Sequence, residues 1–192
     1  MPESINLEGT IAKVPDYPKP GILFYDISTL LLNTKALTAT VKRLADEISQ
    51  YEPDIIAGIE SRGFLMAGPV AIELAVGVQM IRKKGKLPGT TLSHTYDLEY
   101  GHDTLEIQKS SALSGKRVAI VDDIFATGGT LSAATTLIRK QGSIVVCSAC
   151  ILELAFLNGK DKLDAPFISP VSYTHLRAHE TRHDLVCRLL LE

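Results

Sequence analysis

Apolar positions fall into helical and strand-like runs that alternate along the chain. Residues 34 to 49 carry Leu37, Val41, Leu44 and Ile48 at three- and four-residue intervals, which predicts an amphipathic helix. Residues 54 to 59 (DIIAGI) form a short apolar run that stops at the turn-like cluster Glu60, Ser61, Arg62, Gly63. Helical spacing returns over 66 to 76, and 77 to 82 (GVQMIR) read as the next strand. Residues 83 to 104, crowded with Gly, Pro, Ser, His and Asp, read as a long loop that leaves room for a hairpin. A buried strand is predicted over 117 to 121 (RVAIV), a helix over 129 to 141 and a strand over 143 to 152. Apolar strands alternating with helices predict an α/β fold: a parallel sheet flanked by helices on both faces. Ligands of such sheets bind beyond the carboxyl ends of the strands. The positions to inspect are therefore those just after Ile59, Ile81 and Val121.

Composition narrows the function classes. The 192 residues, 45% hydrophobic, suit one compact domain with a sizeable core. A formal net charge of −2 gives no basic excess for nucleic acid or an anionic membrane surface, so neither is expected as a partner. Any phosphate site must be local. No apolar run approaches the roughly 18 residues of a membrane span. The first twenty residues lack the basic and apolar regions of a secretory signal. Three sparse cysteines, Cys147, Cys150 and Cys187, fit a reducing compartment, and the cytoplasm is expected. Cys147 and Cys150 spell CxxC, but inside a predicted strand their side chains face opposite sides, which points to core thiols rather than a redox pair.

The stretch VAIVDDIFATGGTLSAATTLI is the most informative. A strand runs into Asp122 and Asp123, and Ala126, Thr127, Gly128, Gly129 and Thr130 then open a helix. Glycines allow close backbone approach, and helix-opening amides favour an anion. The loop is neither a Walker loop nor GxGxxG. Carboxylates repel phosphate, but they accept hydrogen bonds from vicinal hydroxyls or hold a hydrated Mg²⁺. A phosphate beside a diol describes ribose 5-phosphate. The plain alternative, a strand end followed by a helix cap, explains less of the string.

This string resembles the phosphoribosyl pyrophosphate motif of the type I phosphoribosyltransferases. PKPGILFYDIS (18 to 28), ESRGF (60 to 64) and RKKGKLPGTTLSHTYDLEYGHDTLEI (82 to 107) occur in an order and spacing similar to the adenine phosphoribosyltransferase family. The resemblance covers about residues 5 to 168. It implies transfer of phosphoribose to adenine, giving AMP and pyrophosphate. It also implies a small N-terminal hood (about 1 to 33), a flexible active-site loop, Mg²⁺ held through substrate, and a homodimer. By the same resemblance Asp122 and Asp123 hold the ribose hydroxyls, and Ala126, Thr127, Gly128, Gly129 and Thr130 hold the 5-phosphate. Ser61 and Arg62 hold pyrophosphate, with Lys83, Lys86 and Arg82 as a charge clamp; Arg82 is alternatively turned to a neighbouring subunit, and Lys84 is a bystander. Glu99 is the implied catalytic carboxylate, accepting a proton or stabilising charge, with Glu106 as second choice. Leu23, Phe24, Tyr25 and Leu154 line the implied adenine site; many relatives carry Arg where this chain has Tyr25. Another acceptor base, an inactive homologue and a phosphoribosyl pyrophosphate-sensing DNA-binding regulator stay open as alternatives.

The ending is atypical. Residues 169 to 192 are unlike the family's close, and the expected division is a domain over 1 to 168 with a non-native tail after it. His175, His179, His183 and Cys187 recur every four residues, but on one helix they rise about 6 Å per turn and cannot close on one ion.

Overall fold

A computed structural model describes residues 5–97 and 101–174. Its element order begins with a hood: strands β1 (Ala12–Pro15) and β2 (Leu23–Asp26) pair antiparallel, and the short helix α1 (Ser28–Leu32) follows. Next come α2 (Thr34–Ser49), β3 (Ile55–Ile59), α3 (Phe64–Glu73), β4 (Gly77–Lys83), β5 (Thr91–Asp97) and β6 (His102–Gln108). The chain continues through β7 (Arg117–Phe125), α4 (Gly129–Lys140), β8 (Ile144–Leu154), β9 (Phe167–Ile168) and β10 (Val171–Tyr173).

The main sheet runs β10-β8-β7-β3-β4-β6-β5, with β9 also on β8. Its centre is parallel, as the apolar runs predict. The far edge is not: β6 is antiparallel to both β4 and β5. The supposed loop over 83 to 104 is therefore mostly a hairpin. Its alternating exposure over β5 is a strand signal that the Gly- and Pro-rich segment before it obscures.

Side chains alternate between two cores. Ala119 and Val121 of β7 face a cluster with Leu44 of α2 and Met66 of α3; Val118 and Ile120 face one with Leu131, Leu137 and Ile138 of α4. Cys147 lies in the first cluster and Cys150 in the second, on opposite faces as the strand reading requires. Burial pushes the Cys147 thiol up to about 12, which removes the thiolate that redox chemistry needs. Helix α2 begins where Asn33 Oδ1 accepts the amides of Lys35 and Ala36, each at 3.1 Å. Its buried face is Ala36, Thr40, Leu44 and Ile48, turned slightly from the expected stripe because Leu37 and Val41 lie at its margin.

The sheet continues past residue 168. Val171, Ser172 and Tyr173 lie beside Leu152, Glu153 and Leu154, and Tyr173 is buried. Pro170 lies in the bend between β9 and β10, outside either strand. His175, His179, His183 and Cys187 lie outside the described residues, and no helix among the described ones is long and apolar enough to cross a membrane.

Ile120 is fully buried in the strand that carries the acidic pair. Ile120→Ala is expected to lower unfolding stability by about 2–5 kcal/mol in urea titrations, through lost burial and an unfilled cavity.

Candidate active site

A cavity of about 200 Å³ opens at the carboxyl ends of β3 and β7, where parallel strands stop and helices begin. Its lining includes Ser61 and Arg62 after β3, Asp122 and Asp123 on β7, and Thr130 on α4. Lys83, Tyr96, Asp103 and Leu105 complete one wall. The sheet's edge hairpin therefore folds over the site. Tyr96 and Asp103 are lining residues that sequence reasoning missed; the alternation along β5 was the signal for Tyr96, and Asp103 of β6 is its partner in register.

The strand β7 is longer than its apolar run suggests and carries Asp122 and Asp123 as its sixth and seventh residues. Consecutive residues in a strand project to opposite faces, so the two carboxylates have different surroundings. Asp122 Oδ1 accepts the amide of Asp123 at 2.9 Å. Burial, then the Asp123 charge, pushes the Asp122 carboxyl well above the usual carboxylate range. Asp123 Oδ2 instead accepts Arg62 Nε at 2.5 Å. Arg62 and Asp123, assigned from sequence to different parts of one ligand, pair with each other in the free protein.

The ESRGF turn is held in place from both sides. Glu60 accepts Arg82 Nη2 at 2.9 Å, Arg82 Nε at 3.2 Å and the Lys83 amide at 2.9 Å. Burial raises the Glu60 carboxyl, but the hydrogen bonds from Arg82 and Lys83 outweigh it, and its pKa lies below the ordinary glutamate value. Arg82 Nη1 also donates to the Lys86 carbonyl at 3.0 Å. The Arg82 guanidinium thus fastens the turn to the segment that ends at Lys86. Gly63 sits where a Cβ would stand 2.6 Å from the Ile59 carbonyl oxygen and 2.8 Å from Asp122 Oδ1, so the turn presses onto the acidic strand end.

Among the proposed cations, Lys83 lines the cavity with its Nζ 3.8 Å from Asp103 Oδ2, whereas the exposed Lys86 does not line it. Glu106 is buried and accepts the Gly85 amide at 2.9 Å, a structural task at the 84–86 turn that disfavours it as a catalytic group. Glu99 lies outside the described residues. The loop 126–130 has the expected form: Gly128 is left-handed at φ 79° and α4 opens directly after it. Tyr96 reaches over this loop, its hydroxyl 3.4 Å from Thr130 Oγ1.

The hood splits the four implied base contacts. Leu23, Tyr25 and Leu154 are buried in one cluster, while Phe24 is half-buried on the other face of β2, its ring 5.2 Å edge-on from Tyr17. Tyr25 lies 4.5 Å from the ring of Tyr173, whose other neighbour is Lys13 Nζ at 4.5 Å. Tyr25 is thus buried where β2 of the hood meets Tyr173 of β10.

Residues 28–169 match the model of the phosphoribosyl transferase domain. The chain belongs to the adenine phosphoribosyltransferase family. It is 54% identical to the adenine phosphoribosyltransferase of Rhodospirillum centenum over 169 residues, which are 88% of this chain and 99% of that protein. Among solved structures it resembles the enzyme of Thermoanaerobacter pseudethanolicus, with 45% identity, a TM-score of 0.83, and coverage of 87% of this chain and 98% of that one. It also resembles the Saccharomyces cerevisiae enzyme solved with an imino-altritol bisphosphate and adenine, at 37% identity and a TM-score of 0.80, covering 86% and 97% of the two chains. The fold is that of the type I phosphoribosyltransferases, and the chain is a glycosyltransferase.

The raised Asp122 carboxyl has a signed consequence. A carboxyl whose folded pKa lies above its unfolded value costs stability once pH exceeds that unfolded value, because only the unfolded chain then releases the proton freely. Asp122→Asn keeps the Oδ1 acceptor and removes the cost. The variant is expected to melt above the wild type at pH 7, with the gap closing as pH falls below the ordinary aspartate value of 3.8. Melting curves at both pH values check this; a gap that widens in acid would contradict it.

Proposed function

We propose that this chain carries out adenine phosphoribosyl transfer at the cavity between β3, β7 and the edge hairpin. The observation that carries the assignment to this cavity is one wall of it. There Asp122 and Asp123 of β7 meet Thr130, the one residue of the 126–130 loop on that lining, and the loop begins three residues after Asp123, in a chain of this family. Adenine attacks the ribose carbon, the bond from that carbon to pyrophosphate breaks, and the proton on the attacking ring nitrogen is lost. Asp122 and Asp123 accept hydrogen bonds from the ribose hydroxyls; the amides of 126–130 with Thr127 and Thr130 hold the 5-phosphate. Arg62 leaves Asp123 for the pyrophosphate, with Ser61 and Lys83 beside it. Phe24 stacks on the base. Glu99 accepts the proton or stabilises the developing charge.

A Mg²⁺ fits this arrangement. Among the described residues no three metal-ligating side chains converge, so no protein cage is available. A cation carried on substrate oxygens needs only one or two protein ligands. Asp123 lines the cavity and would supply one. Such a cation lowers the negative charge of pyrophosphate and makes it a better leaving group.

Self-association and location complete the reading. Leu65 and Ile72 of α3 and Val78 and Met80 of β4 are exposed apolar residues, Ile72 at 81%, which supports a homodimer that covers some of them. Free, buried Cys147 and Cys150 suit a reducing cytoplasm. The tail beyond Thr174 is read as carrying no function.

AMP formation from adenine and phosphoribosyl pyrophosphate is expected to stop on chelation of divalent cations and to return with added Mg²⁺. Glu99→Gln is expected to lower kcat by about 10²–10⁴-fold. Preference for a 6-oxo purine in a base competition would defeat the adenine assignment. Ile72→Asp is expected to convert dimer to monomer in light scattering, and truncation after Thr174 to leave activity unchanged.

A further inference from the structure

Beyond β8 the chain makes two short 3-10 turns, Ala155–Leu157 and Gly159–Lys162, and the first residue of the second lies against the phosphate loop. The contact is backbone on backbone. A Cβ on Gly159 would stand 2.2 Å from the Ala126 carbonyl oxygen, 2.9 Å from the Gly128 nitrogen and 2.9 Å from the Thr127 carbonyl carbon. From the other side, a Cβ on Gly128 would stand 2.4 Å from the Gly159 carbonyl oxygen. Real Cβ atoms do not come this close to fixed backbone, so neither position admits a side chain without displacing the other segment. Gly128 is also left-handed, which alone demands glycine there. Gly159 does not share that constraint: its requirement is space, set by the loop that it touches.

A buried charge secures the contact. Glu153, 4% exposed, is the penultimate residue of β8 and pairs in register with Phe125, the residue before the loop. Its Oε1 lies 2.8 Å from Lys160 Nζ, and its Oε2 accepts the Ser172 hydroxyl at 3.0 Å. Lys160 also lies 5.3 Å above the ring of Phe167. A buried carboxylate is costly unless paired, and this pair ties the residue next to Gly159 to the strand alongside the loop.

We propose that Gly159, fastened by Glu153 and Lys160, is a positioning residue that sets the shape of the phosphate-binding loop by backbone contact. The inference rests on reading 126–130 as the 5-phosphate cradle. It adds that the amides of that cradle are aimed by a segment distant in sequence. Displacement of reacting groups by about 1 Å can cost as much as 10²-fold, so a methyl group here is expected to be felt at the phosphate.

The test is Gly159→Ala, with ribose 5-phosphate as a ligand that engages the cradle without pyrophosphate or base. Expected are a roughly tenfold loss of ribose 5-phosphate affinity by calorimetry, a similar rise in KM for phosphoribosyl pyrophosphate, and a KM for adenine within about twofold of wild type. A folded variant with unchanged ribose 5-phosphate affinity, or with both KM values raised alike, would overturn the proposal. If Gly159→Ala does not fold, Lys160→Ala carries the test: a several-fold loss of the same affinity that Lys160→Arg recovers supports the proposal, and an unaltered affinity refutes it. Thr130→Ala separates the two layers. If it weakens ribose 5-phosphate binding while Gly159→Ala does not, the cradle reading stands and the positioning role falls. If Thr130→Ala has no effect, the cradle reading itself fails, and the inference with it.

Discussion

The structure depends on one costly placement: two adjacent carboxylates at the end of a central strand, largely shielded from water. Asp122 accepts the Asp123 amide while burial and the Asp123 charge raise its pKa, and Asp123 is met by Arg62. The surrounding architecture supplies these terms. The Arg82–Glu60 pair braces the turn that carries Arg62, and Gly63 lets that turn come close enough to reach. The strain of an acidic strand end is thus met by a second strand end in the same sheet, which is why β3 and β7 must be neighbours.

Much of this was legible in the sequence, and for a physical reason. Central parallel strands are buried on both faces, so DIIAGI and RVAIV appear as unbroken apolar runs and their ends can be read directly. Asp122, Asp123 and Thr130 follow such a run, and Ser61 and Arg62 follow another; the cavity gathers all five. The edge hairpin was less visible because one of its faces is open and its residues are mixed in polarity. Tyr96 and Asp103 were lost with it.

Pairings between distant side chains left no local trace. Nothing near Arg82 in sequence says that its guanidinium pairs with Glu60, twenty-two positions earlier. Tyr25 is similar: its neighbours suggest a base contact, yet its partner is Tyr173, far along the chain and past the point where the family model ends at residue 169. The close approach of Gly128 and Gly159 belongs to the same class, since two glycines thirty-one positions apart reveal their contact only in three dimensions.

The Arg62–Asp123 and Lys83–Asp103 pairs also keep the cavity wall near charge balance. Each of these two cations has a carboxylate beside it, so any group that draws Arg62 away leaves the buried Asp123 in need of another hydrogen-bond donor. A molecule with hydroxyl groups next to its negative groups meets both needs in one event.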